Sequence, residues 1–235
     1  MKEVFSSVAN NYDLMNDVMS LGIHRIWKRE LIRQLNPIPG TQLLDTCGGT
    51  GDVALEFLRH VQQSDPTDND FKVVVCDINE QMLKVGQNRA KHLPQSVSNR
   101  IEWVLGDAMR LPFGDNTFDA YTVAFGIRNV VDINQALSEA HRVLKSGGQF
   151  LCLEFSQMRT PFISRLYDWY SFEIIPVLGE VFAKDWKSYQ YLVESIRRFP
   201  DQNDFKAMIQ STGFTLVEVT NLLDGIAAIH IGFKK

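Results

Sequence analysis

A glycine-rich turn and the carboxylates around it carry the most direct chemical signal in this chain. Asp45-Thr46-Cys47-Gly48-Gly49-Thr50-Gly51-Asp52 joins the run TQLLD to a helical pattern at Val53, Ala54, Phe57 and Leu58. Its glycines permit tight turning and close approach of a ligand to the backbone. Loops of this kind also serve nicotinamide and flavin enzymes. The acids at its two ends, Asp45 and Asp52, are awkward for a pyrophosphate at a helix N-terminus but suit a ligand carrying an ammonium and a sulfonium. S-adenosylmethionine is such a ligand. Asp77 closes the run VVVCD 26 residues past Gly51 and is expected to accept both ribose hydroxyls, with the polar connection Gln62 to Asp70 accounting for the excess over the usual ~20. Asp107-Ala108, after the next strand, offers a carboxylate and a backbone N–H to an adenine edge. Each Asp alone also reads as a helix or turn cap. Three at successive strand ends favour a ligand, because open α/β sheets bind at that edge.

The elements that hold these groups follow from apolar periodicity. A helix is expected from about Ile23 through Leu31 to Leu35, stopped by Asn36-Pro37-Ile38-Pro39-Gly40. Strands and helices then alternate: TQLLD, the helix after Asp52, VVVCD, a helix from about Glu80 to Lys91, IEWVLGD, AYTVAF, a helix around Ile133 to Leu144, and QFLCLEF. Such alternation implies a parallel, doubly wound sheet. TGFTLVEVTNLLDGIAAIHIGFKK instead holds two alternating apolar runs around Asn221 to Gly225, which predicts a hairpin. The expected fold is therefore α/β: a class I S-adenosylmethionine-dependent methyltransferase (Rossmann-like) fold, with a seven-stranded, mostly parallel sheet, a C-terminal antiparallel hairpin and an inserted helical cap. Residues 1–235 are expected to form one domain: an N-terminal helical lid (1–36), a cofactor-binding core (41–156), the cap (157–200), and a closing helix with the hairpin (201–235). In the cap, Ile163, Leu166, Tyr167, Tyr170 and Ile174 form an apolar helical stripe with Trp169 and Phe172 off that face. The stripe fits packing on the sheet domain, and the extra aromatics suit a channel for a long apolar tail or a peripheral membrane contact. Asp168, Glu173 and Glu180 interrupt the apolar stretch that runs from this stripe on to Phe182, which excludes a membrane span there.

Composition narrows the class. The 235 residues are 45% hydrophobic and 22% charged, with 24 basic against 28 acidic residues and a net charge of −4. No nucleic-acid partner is expected, since that affinity needs concentrated basic surface. Cys47, Cys76 and Cys152 are odd in number and lack metal or disulfide spacing, which points to a reducing compartment. The histidines show no metal-type spacing, so no metal is expected. MKEVFSSVANNYD has neither an apolar nor an Arg-rich leader character, so no targeting segment is visible.

Two longer runs carry a resemblance. YDLMNDVMSLGIHRIW (Tyr12 to Trp27) and RVLKSGGQFLCLEFS (Arg142 to Ser156), together with DTCGGTGD, VCDIN, GDAMRLPF, FGIRNV and YLVESIRRFP, resemble the ubiquinone/menaquinone biosynthesis C-methyltransferase family over nearly the whole chain. Two departures stand out: Ser146 replaces the usual Pro before Gly147-Gly148, and Thr46-Cys47 replaces a small apolar pair. The resemblance implies C-methylation of a polyprenylated methoxy-benzoquinol with S-adenosyl-L-methionine as cofactor. Among the cofactor contacts Asp45, Gly49, Thr50, Gly51, Asp77, Asp107, Ala108 and Ala124, it alone points to Thr50 and Ala124. It further implies a peripheral contact with the matrix side of the mitochondrial inner membrane, or alternatively a bacterial cytoplasmic location. A multi-enzyme ubiquinone-synthesis complex and a homodimer are its implied assemblies. Small-molecule O-methylation and a non-catalytic cofactor-binding scaffold are the competing readings.

A quinol ring carbon becomes nucleophilic when an adjacent hydroxyl loses its proton. A phenol of pKa ~10 is ionised in about one molecule per thousand at pH 7, so the site must supply roughly 4 kcal/mol of help. Arg128, in Phe125-Gly126-Ile127-Arg128-Asn129 after the fourth strand, is expected to stabilise the phenolate or orient a water, with Asn129 as a hydrogen-bonding partner. A structural clamp on a loop carboxylate is the competing role for Arg128. His24 titrates near neutrality but, flanked by Ile23 and Ile26, also reads as a packed residue. Tyr12 is the remaining candidate, as a donor to the ring oxygen or to the methionine carboxylate.

Overall fold

Short, largely apolar strands that send successive side chains to opposite faces organise this computed structural model, which describes residues 22–64, 70–158, 160 and 186–235. Helix α1 (Ile23–Leu35) buries Trp27, Leu31, Ile32 and Leu35 on one face. Fully burying Leu31 and Ile32 stabilises the fold by roughly 1.5–3 kcal/mol each. The helix ends as the Asn-Pro signal predicts. Asn36 turns left-handed at φ 46°, and its N–H returns to the Ile32 carbonyl at 3.1 Å. Strand β1 (Gln42–Thr46) follows, then α2 (Asp52–Ser64), β2 (Lys72–Asp77), α3 (Glu80–Ala90), the single turn α4 (Gln95–Ser98) and β3 (Ile101–Leu105).

Beyond β4 (Phe118–Ala124), a 3-10 turn at Ile127–Asn129 leads to α5 (Ile133–Val143) and the long β5 (Leu144–Phe155). Helices α6 (Trp186–Arg198) and α7 (Gln202–Ser211) precede β6 (Thr215–Leu222) and β7 (Ala227–Phe233). The strands make one sheet in the order β3-β2-β1-β4-β5-β7-β6. Pairings are parallel from β3 through β5, and antiparallel for β5 with β7 and β6 with β7. The predicted doubly wound sheet with a terminal hairpin is therefore present. The period of two sorts the strand residues cleanly. Leu43, Val73, Val75, Leu151 and Ile229 join the core that α1 and α2 cover, while Leu44, Val74, Cys76, Tyr121, Phe150 and Cys152 join the one under α5 and α7.

Chain order reverses between β1 and β4, so the loops after their C-terminal ends splay to opposite sides and open a crevice. The described part of the expected lid, α1, packs on α2 and β5 as part of the core. Tyr12 and the cap stripe of Ile163, Leu166, Tyr167, Tyr170 and Ile174, with Trp169 and Phe172, lie outside the described residues. Of the cap, α6 is described, and it packs on the 3-10 turn at Ile127–Asn129. Ser146, the departure from the family's Pro, donates its hydroxyl to the Lys235 carbonyl at 3.1 Å at the exposed end of β5.

Candidate active site

Two adjoining spaces open at the C-terminal edge of the sheet. The larger, about 260 Å³, is walled by Asp77, Ile78, Asp107, Ala108, Asn129 and others. A small recess beside it is lined by Lys28, Asp45, Thr50, Asp52 and Ala124. Cys47 and Gly49 face both. The sequence-predicted residues thus fall into two groups, Asp77, Asp107, Ala108 and Asn129 in one space, Asp45, Thr50 and Ala124 in the other, with Gly49 between.

The glycine turn meets steric demands that a side chain could not. Gly49 has φ +54°, and a Cβ on Gly48 would lie 2.7 Å from Val75 Cγ1 and 2.8 Å from Asp45 Oδ2. Gly51 is different from expectation. It lines neither space; at φ +81°, a Cβ there would lie 2.6 Å from the Trp103 ring. Its positive φ and the nearby Trp103 ring support a role in the turn and in close helix packing.

Asp77 accepts from the Gly49 N–H at 2.9 Å and the Asn79 N–H at 2.7 Å. Burial raises its carboxyl above the usual range, with the backbone donors opposing the rise. Asp107 accepts from Met109 N–H at 2.9 Å, so the capping role and the cavity position coexist. Asp45 is 1% exposed. Thr122 donates to its Oδ1 at 2.9 Å, and its Oδ2 has no hydrogen-bond partner among the described residues. Burial pushes this carboxyl up to about 7, against the pull of Thr122 and Lys28.

Asp52 departs from its expected part. Burial alone would raise its carboxyl, but Lys28 at 2.7 Å and Arg89 at 2.8 Å outweigh that and hold it at about 2. Its charge is already neutralised, so Asp45 is the acid in the recess left for an incoming cation. Arg89 also donates to Thr50 Oγ1 at 3.0 Å, which pins the loop to α3.

Arg128 is held elsewhere than expected. Its Nη1 donates to Glu154 Oε1 at 2.8 Å and to the Phe125 carbonyl at 2.6 Å, and its Nε donates to Ser195 Oγ at 3.3 Å. Its side chain is 7% exposed and that of Glu154 is 1% exposed. Burial raises the Glu154 carboxyl, and Arg128 opposes the rise. The geometry is that of the clamp, with the guanidinium's charge matched by a carboxylate and Arg128 absent from both linings. Asn129 does face the cavity, with its Oδ1 taking the Tyr191 hydroxyl at 3.0 Å. His24 is 5% exposed on α1 and lines neither space, which matches the packed alternative.

Sequence reasoning passed over Glu154 and Lys28. Both were signalled: Glu154 interrupts the apolar run LCLEF, and Lys28 falls on the apolar face of α1, four residues from His24 and three from Leu31. A charge at a core position implies a buried partner.

A model of the ubiE/COQ5 methyltransferase family matches residues 1–234. The chain is 56% identical over 259 residues to the mitochondrial 2-methoxy-6-polyprenyl-1,4-benzoquinol methylase of Homo sapiens, covering 99% of this chain and 79% of that protein. For the Danio rerio protein of the same name the identity is 54% with the same coverage. Among solved structures, an S-adenosylmethionine-dependent methyltransferase of Thermotoga maritima superposes with a TM-score of 0.68 at 18% identity, covering 99% of both chains. The Haemonchus contortus phosphoethanolamine N-methyltransferase 2 bound to S-adenosyl-L-methionine gives 0.63 at 16% identity, covering 89% of this chain and 52% of that one. Likeness at this level of identity speaks to fold, and the fold is the expected class I, Rossmann-like one.

Proposed function

Because the chain belongs to the ubiE/COQ5 methyltransferase family, we propose that it methylates a ring carbon of a 2-methoxy-6-polyprenyl-1,4-benzoquinol, with S-adenosylmethionine as methyl donor, in ubiquinone synthesis. The observation that carries this reading is identity at more than half of the aligned positions, over 99% of the chain, with relatives named for that activity. The crevice fits the cofactor: a buried carboxylate oxygen that has no partner among the described residues and suits an ammonium, a glycine turn without room for side chains, and acids at the strand ends. When bound, S-adenosylmethionine supplies an electrophilic methyl group. Asp45 takes the ammonium, Gly49, Thr50 and Ala124 enclose the methionine end, Asp77 takes the ribose hydroxyls, and Asp107 with the Ala108 N–H takes the adenine edge.

Asn129 presents its amide to the quinol oxygen and favours loss of its proton, while Arg128, tied to Glu154, fixes the turn that carries Asn129. The ring carbon beside that oxygen would gain the methyl as the methyl's bond to sulfur breaks, leaving S-adenosylhomocysteine, and the carbon's own proton would then pass to water, which restores the aromatic ring. The relatives' names support a mitochondrial location. Among the described residues no helix is long and apolar enough to cross a membrane, and a polyprenyl tail favours peripheral contact with the inner membrane from the matrix side, within a complex of ubiquinone-synthesis enzymes and as a homodimer.

Purified protein with S-adenosylmethionine and a short-prenyl methoxy-benzoquinol is expected to yield a product heavier by one methyl group on carbon, from the reduced ring only. A methyl on oxygen, turnover of the oxidised quinone, or no product with the reduced ring overturns the reading. Asp77→Ala weakens cofactor binding by about 1.5–3 kcal/mol, roughly 10- to 100-fold in Kd by calorimetry. Unchanged affinity removes Asp77 from the ribose site.

A further inference from the structure

Helix α6 reaches the 3-10 turn through two hydrogen bonds. Ser195 Oγ accepts from Arg128 Nε at 3.3 Å, and the Tyr191 hydroxyl donates to Asn129 Oδ1 at 3.0 Å. The second contact matters for chemistry because a carboxamide has two ends of nearly equal size and opposite hydrogen-bonding character. A donor fixed on Oδ1 decides which end faces the other way. Asn129 lines the cavity, and its Nδ2 has no acceptor among the described residues. Without the Tyr191 hydroxyl, the carboxamide is free to rotate and offer Oδ1 to the cavity, where an oxygen lone pair would repel a developing phenolate.

We propose that Tyr191 is a positioning residue for the methyl transfer: its hydroxyl holds Asn129 Oδ1 so that the Nδ2 donors face the quinol oxygen. This rests on the assignment of the cavity to a quinol. Tyr191 acts through Asn129 and touches no reacting atom. It also makes the catalytic turn depend on the cap, since the residue that orients Asn129 arrives from a helix 62 positions further along the chain.

The test is a double-mutant cycle with Tyr191→Phe, which keeps the ring and removes the hydroxyl, and Asn129→Ala, each assayed with the reduced short-prenyl benzoquinol. Tyr191→Phe is expected to lower kcat about 10-fold, the scale of one lost hydrogen bond, with KM for the quinol, cofactor Kd and Tm close to wild type. In the Asn129→Ala background the same change is expected to cost nothing further, because there is no carboxamide left to orient. Wild-type kcat in Tyr191→Phe, independent losses that multiply in the double variant, or a loss tracking a fall in Tm would each overturn the proposal. Absence of turnover by the wild-type protein overturns the quinol assignment itself, and this proposal with it; normal wild-type turnover with an unaffected Tyr191→Phe variant overturns this proposal alone.

Discussion

Arg128→Ala lowers the unfolding free energy by about 3–5 kcal/mol, because it leaves Glu154 buried with no opposing charge. The Glu154 side chain is 1% exposed, and its Oε1 takes both the guanidinium and the Phe155 N–H. Removing the cation leaves burial opposed only by the backbone N–H groups of Phe155 and residue 128, so the Glu154 carboxyl rises further above its ordinary range. A carboxyl raised in the fold binds more protons there than in the unfolded chain, and its contribution to stability falls as pH rises. The deficit of Arg128→Ala is therefore larger at pH 8 than at pH 5. Urea melts at the two pH values measure it. A companion variant, Arg128→Met with Glu154→Gln, removes both charges and recovers most of the loss. A deficit below about 1 kcal/mol at pH 8, or one that grows toward acid, would sink the clamp.

Asp45→Asn acts in the opposite direction on stability. The Asp45 carboxyl is pushed up to about 7 by burial, against ~3.9 for an exposed Asp. Between those values the folded protein holds a proton that the unfolded chain has released, so this group's contribution is full below ~pH 4 and is lost as pH rises through 7. Roughly three pKa units correspond to about 4 kcal/mol. A neutral amide escapes that loss but must itself be accommodated, so at pH 8 the variant without cofactor is about 2–4 kcal/mol more stable than wild type. Its cofactor affinity falls about 10- to 100-fold, since the ammonium loses its carboxylate. Wild-type affinity also weakens from pH 8 to pH 6, where the proton must leave Asp45 before the cation is paired, and the variant loses this dependence. Calorimetry across that range checks both. A variant no more stable at pH 8, or one with unaltered affinity, removes Asp45 from this role.

Most of the fold was readable because each strand is a short apolar run and each helix carries its own stop signal, as at Asn36-Pro37. Asp45, Asp77 and Asp107 were readable for a topological reason: parallel strands point their C-terminal ends to one edge, so acids closing successive strands meet there. Groups whose state depends on partners distant in sequence were not. Asp52 looked like a second acid for a cation until Lys28, 24 residues before it, and Arg89, 37 after it, took its charge. The need for glycine at position 51 comes from Trp103, 52 residues further along, whose ring leaves no room for a side chain there. Arg128 could be given two roles from its local setting, and it is the arrival of Glu154, from the neighbouring strand, that supports the clamp. Thr50 and Ala124 came from family resemblance, since nothing in a lone Thr or Ala announces a binding role.

The last strand in sequence is an interior strand. Because β7 lies between β5 and β6, the parallel half of the sheet, ending at Phe155, keeps an unpaired edge on β5 until residues 227–233 have been made. During synthesis that edge, with Phe150, Leu151, Cys152 and Leu153 along it, is a ready template for pairing with another chain. Closure also requires contacts between residues about 80 positions apart, the kind that slows folding. A nascent chain halted before Ala227 is thus expected to depend on chaperones even though the acids and glycine turn of the crevice are already present.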